Sequence, residues 1–526
     1  MRNSILALLV SMTVILTGCA TCNVPVSYKN AISPISLGLL KAKTGEERYE
    51  ILYKAHQEAN AKGVLVDYRG IGSIDISIPV GAKPIPLGQN NDFAGIVFNV
   101  TNKAQNQFLF TLISKAVSIE VTGHDIDKGD FRKYDKLNYG TMLLSVADEN
   151  PWVENRSGYS YGHQRKDILL IKNGRAKNKP VMPYDNPQSL PVCRYYVIEK
   201  ASLTFSNLTF NRMEDCTART YLCQIIGADN VHIENITINT PTSDLLDDKA
   251  INLLDCTNVE FNKVCINGTY SRINHSGYGI SLNNIWNYHA SNLKAKGNWG
   301  VFGNNNINVA SITDSEINRF DIHCYGRDIT FKRVHFIDLY NQFSSTFGTI
   351  LFEDCLFSYF TPILYETSYN TYVPHNVIFN NCEYVIDSKH RYLIDAGKLC
   401  AQENSRTELV DKCWPNVAVN HMTVITDGQQ DSFSVFNVSK EAGFNGLIHS
   451  INKIVINGLY FNSPEGQQSI SVNLVNKEVS TEQPVNISIN RLEATPNSSL
   501  NIRFNERTGK NRVTIRRSNI NNLEDK

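Results

Sequence analysis

Phe205-Ser206-Asn207-Leu208-Thr209-Phe210, Ile233-Glu234-Asn235-Ile236-Thr237-Ile238 and Phe261-Asn262-Lys263-Val264-Cys265-Ile266 are one phrase written three times. Its form is a β-branched or aromatic residue, two polar positions, then apolar, any, apolar. It recurs at Ala290, Ile312, Phe331, Phe352 and Phe379, and after a gap at Ile456, Ile489 and Val513-Thr514-Ile515. The first eight starts are separated by 28, 28, 29, 22, 19, 21 and 27 residues. Periods of this size with strand-like content predict a solenoid, in which each coil buries its apolar face only by stacking on the next. The fourth position holds Leu208, Ile236, Val264, Leu293, Ser315, Val334, Cys355, Cys382, Leu459, Leu492 and Ser518, and the sixth is almost wholly apolar. Alternate residues of a strand share a face, so these columns predict apolar ladders inside the coil, with Cys355 and Cys382 as packed core thiols. Asn recurs at the third position (Asn207, Asn235, Asn292, Asn381), as expected where a chain bends between strands. Apolar spacing of three and four over long stretches is absent, which excludes a helical solenoid. The expected fold class is all-β, a parallel β-helix.

Composition is compatible with one large body of this kind. The chain has 526 residues, 42% hydrophobic and 19% charged, enough apolar content for a packed core. Lys+Arg 51 balances Asp+Glu 51, so no global basic field exists and nucleic acid is not an expected partner. Arg2 followed by the apolar stretch Ile5 to Leu16 is too short to span a bilayer and suits a secretory leader. The stretch ends Leu16-Thr17-Gly18-Cys19, which looks like a bacterial lipobox with Cys19 as the lipidated residue. The expectation is a signal peptide over 1–18, a tether over 19–43, and an exported protein anchored to a membrane through Cys19, with the face undetermined. In that setting Cys216/Cys223 and Cys400/Cys413 are spaced to close short loops as disulfides. No pair of Cys-x-x-Cys motifs supports a structural zinc site.

The β-helix is expected over 44–526. Thr44 to Lys62 has helical periodicity, with Thr44 as N-cap and Gly63 as stop, and a helix there shields the open end of the first coil. Two loop insertions are expected, at about 120–195, rich in aromatics and Pro, and at 387–420, around Cys400 and Cys413.

The repeat and the capping helix resemble the pectate-lyase-like superfamily of right-handed parallel β-helix proteins, over roughly residues 64–524. The resemblance implies action on polysaccharides, as lyases or glycoside hydrolases, with phage tail-spike depolymerases as cousins. It carries over no catalytic residue: of the polygalacturonase-type signatures only Asp247-Asp248 is present, His275-Ser276-Gly277 is not Gly-His-Gly, and the usual pectate lyase signatures are missing. Several similar lyases use calcium to grip carboxylates, so calcium is the one cofactor the resemblance allows. No Asp-x-Asp-x-Asp-Gly loop accompanies it here, and the metal is unassigned.

A second short strand precedes each phrase, read with Ile251, Ile280, Val301, Ile322 and Phe343 inward. Its outward neighbours include Asn252, Ser281, Asp321, His323, Gln342 and Ser344, with Arg319, Tyr340 and Asn298 at strand entrances. Arg319-Phe320-Asp321-Ile322-His323 is the densest chemical cluster of the repeat. Elimination from a uronate needs a base for the proton alpha to the carboxylate and a cation to neutralise that carboxylate. The cluster supplies His323 as base, Tyr340 as base or acid, Arg319 as neutraliser and Asp321 as orienting group. Equally, Arg319 and Asp321 form a solvated salt bridge and His323 is an ordinary exposed residue. Asn252, Asn298, Arg327 and Gln342 are the expected substrate contacts, with Trp299 as a stacking platform and Lys332, Arg333 and His335 as a basic surround. Tyr365, Tyr369 and Tyr372 are further stacking candidates, Trp286 is expected to pack under loops, and His275 and Tyr278 rank second as chemical candidates.

Three functions follow. The favoured one is a lyase that cleaves a uronate-containing glycan, glycosaminoglycan or pectin-like, by β-elimination. The second is a glycoside hydrolase using Asp247 or Asp248 with Asp321. The third is a non-catalytic glycan-binding surface protein. Under the lyase reading, with both side chains outward, His323→Ala and Arg319→Ala are each expected to abolish turnover on acidic polysaccharides and leave the fold intact.

Overall fold

The computed structural model describes residues 28–525 apart from 29, 89, 154–162, 188–189, 200–201, 241–248, 269–277, 297–299, 338, 344–345, 366–374, 388, 400–414, 427–431, 441–452, 463–470, 477–485, 495–497, 503–511 and 519–521. The leader, Cys19 and the Cys400/Cys413 pair lie outside the described residues. The chain opens on the expected capping helix, α1 (Gly45–Lys62). Thr44 accepts from the Glu47 N–H while the Glu47 carboxylate accepts from the Thr44 N–H, and Gly63 ends the helix at φ 65. The helix buries Tyr49, Leu52, Ala55 and Ala59 over the first coil. His56 is buried with them, its Nε2 2.6 Å from the Tyr68 hydroxyl, and burial lowers its pKa to about 4, so it packs as a neutral ring.

Beyond the helix the strands stack in parallel as a right-handed β-helix. The first position of the phrase forms one unbroken Cα register: Phe205, Ile233, Phe261, Ala290, Ile312, Phe331, Phe352, Phe379, Val419, Ile456, Ile489 and Ile515. Val419 fills the gap in the repeat, and its coil puts Met422 and Val424 into the ladders. The third position is where the chain turns. Asn207, Asn235, Lys263, Asn292, Asp314, Arg333, Asp354, Asn381 and His421 all adopt φ between 51 and 62. Left-handed backbone costs Asn and Asp least, because their short side chains bond locally, which is why that column reads as Asn in the sequence. Asn207, Asn235 and Asp92 are further joined by amide bonds from coil to coil.

Inside, the ladders are aromatic in the middle coils. Phe331, Phe352 and Phe379 stack at 5.0 Å and within 10° of parallel, and Phe336 lies over Phe357 at 5.0 Å and 2°. Cys355 and Cys382 are buried thiols in the fourth-position ladder, as expected. The disulfide expected between Cys216 and Cys223 is absent. Both are free thiols: Cys223 sits in an inward ladder between Phe110 and Ile251, and Cys216 Sγ bonds the Val100 carbonyl.

The insertion at about 120–195 is an ordered unit where loops were expected. Five antiparallel strands, Ala116–Ile119, Pro191–Val197, Thr141–Val153, His163–Lys172 and Arg175–Ala176 in spatial order, wrap a core of their own around Ile126, Phe131, Leu144 and Ile171. Tyr196, Leu143, Ile168 and Leu170 seat it on the solenoid, with Trp286 packed against them as expected. Asp255 closes the joint, accepting from Tyr196 Oη (2.5 Å), Ser145 Oγ (3.0 Å) and Asn284 Nδ2 (2.5 Å). Around 387–420 the expected loop is shorter than its bounds: Tyr392–Leu399 and Asn416–Asn420 are strands of successive coils.

Phe352→Ala removes the middle ring of the stack and is expected to cost about 3–5 kcal/mol. Glu353→Ala, one residue on and outward, removes only a half-exposed pair with Lys332, expected to cost under about 1 kcal/mol. Equal shifts in thermal denaturation of the two variants would contradict the ladder.

Candidate functional site

Five strands position the chemistry: β1 (Lys249–Gly268), β2 (Tyr278–Ser291), β3 (Gly300–Ile317), β4 (Phe320–Phe336) and β5 (Asn341–Phe343). Their register lays one outward row along the solenoid, Gln224, Asn252, Ser281, Gly303, Asp321, Gln342, Leu364 and Asp395, one residue per coil. Neighbouring members are ~4.8 Å apart. The inward ladder beneath it is Leu253, Leu282, Asn304, Ile322. Phe302, rather than Val301, follows Ile280 in the adjacent inward ladder.

Two irregularities make this row the candidate site. Between Ile322 and Cys324 strand β4 carries one residue more than β3, because Asn304 pairs Ile322 while Asn305 pairs Cys324. The extra residue is His323, and such a bulge re-aims a side chain out of the regular alternation. The second is a slot. Gly300 and Gly303 present no side chains, and the ring of Tyr278 from the preceding coil lies across them; a Cβ on Gly303 would sit 2.5 Å from that ring. Tyr278 thereby reaches over β3 to β4. Its hydroxyl donates to Asp321 Oδ2 at 2.6 Å and lies 2.8 Å from His323 Nε2, and His323 Nε2 is 2.9 Å from the same carboxylate oxygen.

Asp321 is the hub of the cluster. Its side chain is 0% exposed, and Arg319, 2% exposed, pairs with it at 2.7 Å. Burial pushes the carboxyl upward, but the charges of Arg319 and His323 and the bonds from His323 and Tyr278 outweigh it and bring the group down to about 2. Arg319 Nη2 also donates to Gln342 Oε1 at 3.0 Å, and its guanidinium stacks on Tyr340 at 4.6 Å. Asn341 completes the support, accepting from the Phe320 N–H and donating to the Pro362 carbonyl.

The structure thus brings Arg319, Asp321, His323, Tyr340 and Gln342 together, but not with the orientations expected. Arg319 is buried rather than outward, because the Tyr340 ring lies against its guanidinium and Asp321 fixes it. It cannot neutralise a substrate carboxylate directly. Tyr340 packs on a guanidinium, and Gln342 is buried beneath the surface. Asn252 is half-buried in the outward row, three coils before Asp321. Arg327 leaves this face altogether, donating to the Val181 carbonyl of the inserted unit at 3.0 Å. The basic surround is also corrected: Lys332 pairs with Glu353, Arg333 with Asp314, and His335 lies beside Ser358 and Glu316. Tyr365 is a core residue, not a stacking surface. Asn298, Trp299, Asp247, Asp248, Ser344, His275, Tyr369 and Tyr372 lie outside the described residues. No metal-holding group of three or more His, Cys, Asp or Glu side chains occurs among the described residues.

Tyr278, ranked second from the sequence, stands at the centre of the cluster. The signal for it was Gly300-Val301-Phe302-Gly303, two side-chain vacancies in the row next to a Tyr at the head of the preceding strand. The chemistry available is therefore a solvent-reachable Tyr–His pair, with His323 20% exposed, held from beneath by an anion that stays ionised.

Arg319→Ala leaves Asp321 buried without its counter-charge and is expected to destabilise the fold by about 3–5 kcal/mol, contrary to the expectation for an outward residue. The Asp321 pKa is depressed from 3.8 to about 2 on folding. Its contribution is therefore complete above about pH 4 and lost as the pH falls toward 2. Stability measured against pH, with Asp321→Asn lacking that acid-range component, checks both statements.

No protein-family model and no curated protein matches the chain. Among solved structures, the tailspike protein gp49 from Pseudomonas phage LKA1 aligns over 84% of this chain and 82% of its own, at 12% identity and a TM-score of 0.52. The gp54 tailspike of Acinetobacter baumannii bacteriophage AP22, solved in complex with an A. baumannii capsular saccharide, gives 11% identity and a TM-score of 0.47 over 85% and 77%. The Pseudomonas phage phi297 tailspike gp61 gives 10% and 0.38 over 86% and 80%. The gp49 likeness is one of fold: this chain and that tailspike are both long parallel β-helices.

Proposed function

We propose that the chain cleaves a uronate-containing polysaccharide by β-elimination, with Tyr278 and His323 as the groups that exchange protons with the sugar. One observation carries the reading: the Tyr278 hydroxyl and His323 Nε2 stand 2.8 Å apart at a bulge on an outward strand face, both bonded to one ionised carboxylate. Elimination needs a base to take the proton alpha to the sugar carboxylate and an acid to protonate the departing glycosidic oxygen. The C–H electrons become the new double bond as the C–O bond breaks. Tyr278 and His323 are close enough to share these roles on one face of the ring. Asp321, unexposed, positions both, and Arg319 keeps it charged.

The hydrolase reading, with Asp321 as its ionised base or nucleophile, has less support, because Asp321 is unexposed and lies under Tyr278. Glycan binding without turnover is favoured by one fact, that Arg319 is engaged internally and not offered to a substrate carboxylate. Export and anchoring at Cys19 belong to the same proposal, on the strength of Leu16-Thr17-Gly18-Cys19. A polysaccharide in the surroundings is then the substrate an anchored β-helix meets.

The test is a time course of ultraviolet absorbance against acidic polysaccharides, with and without calcium. Elimination gives unsaturated, absorbing ends. Tyr278→Phe is expected to keep the ring in its glycine slot, leave thermal denaturation unchanged and lower turnover by about 10²–10⁴-fold. New reducing ends without absorbance would sink the elimination reading. Binding with neither signal would leave a glycan-binding protein.

A further inference from the structure

Elimination needs one more part than the Tyr278–His323 pair supplies. As the alpha proton departs, charge develops on the sugar carboxylate, and donors must hold that carboxylate beside the base. Arg319 is closed by Asp321 and does not reach it. The donors nearest the pair are neutral. One pleat beyond Gly303 and Asp321, about 7 Å along each strand, runs a second outward row. In register it reads Ile226, Leu254, Asn283, Asn305, Cys324, one residue per coil. It begins apolar, with Ile226 packed against the inserted unit, and turns to amides beside the pair. Asn283 shares β2 with Tyr278, and Asn305 shares β3 with the glycine slot. The register partner of Asn305 is Cys324, next to the His323 bulge.

The two amides are joined and aimed. Asn305 Nδ2 donates to Asn283 Oδ1 at 3.0 Å, and Asn283 Nδ2 donates to Ser281 Oγ at 3.0 Å. An amide nitrogen carries two hydrogens, and each of these uses one. The second hydrogen of each has no acceptor among the described residues. Asn305 is half-buried but its Oδ1 is fully buried, so the oxygen is not the end a ligand reaches. The backbone beneath is fixed at the next residue of each strand. Asn284 donates to Asp255 Oδ1 at 2.5 Å and to Ser145 Oγ of the inserted unit at 3.2 Å, and Asn306 turns the chain at φ 57. The donors are therefore oriented before a ligand arrives, which is what makes fixed dipoles effective toward developing charge.

Resting on the elimination reading for the chemistry, we infer that Asn305, oriented by Asn283, is the seat of the substrate carboxylate. Its remaining N–H donates to a carboxylate oxygen while one member of the Tyr–His pair takes the alpha proton. The C–H electron pair moves toward the carboxylate and becomes the new C=C bond as the C–O bond breaks. The departing glycosidic oxygen takes its proton from the other member. Hydrogen bonds to an ionised acceptor are stronger than neutral ones, so a neutral amide has a specific purchase on a uronate. Asn283 does not touch the sugar; it is a positioning residue for Asn305.

The experiment measures binding by the full chain carrying Tyr278→Phe. The probes are polygalacturonate, alginate and hyaluronan oligosaccharides, each beside a counterpart whose carboxylates are reduced to alcohols. At least one native oligosaccharide is expected to bind more tightly than its reduced form. Adding Asn305→Ala is expected to erase that preference, a loss of roughly tenfold for the native sugar and little for the reduced one. Asn305→Asp, close in shape and of like charge to the ligand, is expected to weaken the native sugar further and spare the reduced one. Asn283→Ala is expected to give a smaller loss of the same preference. Thermal denaturation of Asn305→Ala and Asn305→Asp shows that the variants compared are folded. A preference unchanged by both substitutions overturns the inference. So does equal binding of native and reduced sugars before substitution, or binding of no probe. The absorbance assay on protein with Tyr278 intact keeps the two ideas apart. A preference that depends on Asn305 without absorbing ends keeps the carboxylate seat and removes elimination, whereas absorbing ends formed as fast by Asn305→Ala do the reverse.

Discussion

Coil must lie on coil in register, and everything else in the molecule is arranged within that constraint. A parallel β-helix pairs each residue with its counterparts above and below, so a side chain is judged by its column as much as by its neighbours in sequence. Inward columns are filled mostly by apolar groups, which gives the Phe331–Phe352–Phe379 stack and the buried thiols of Cys355 and Cys382. Arg319 and Asp321 are buried as a closed pair, and by pairing they provide a fixed anion directly beneath the surface.

Regular stacking alone would give a featureless polar row. The site arises from departures of one residue each: an additional residue at His323, and side chains omitted at Gly300 and Gly303. The bulge turns an imidazole toward a carboxylate, and the vacancies let a phenol from another coil reach both. Neither departure disturbs the ladders below, since Phe302, Phe320 and Ile322 remain buried and in register. The cluster thus sits on a regularly stacked, buried base.

The phrase beginning at Phe205 was legible because period two and the left-handed corner act together, one selecting apolar residues and the other Asn. The capping helix was legible through Thr44 and Glu47. The Val419 coil escaped because it starts 40 residues after Phe379, outside the spacing of the earlier starts. The inserted sheet escaped because antiparallel strands such as Thr141–Val153 and His163–Lys172 share no register with the coils. Cys216 and Cys223 have a loop-closing spacing, yet Cys223 belongs to an inward column, which spacing cannot reveal. Alternation correctly put Asp321 on the outward side of its strand. It could not show that Tyr278, two coils back, would cover it. Burial by a residue from another coil is a property of the stack, invisible along the chain.

The glycine slot has a consequence for assembly. Tyr278 and His323 are 45 residues apart and meet only across an intervening strand, so neither one coil nor two adjacent ones contain the pair. Three consecutive coils must be wound before the phenol and imidazole are neighbours, and the middle coil contributes nothing but emptiness. In a chain that winds progressively, the pair would therefore form only at a definite stage of winding, acting as an internal witness that these coils are stacked.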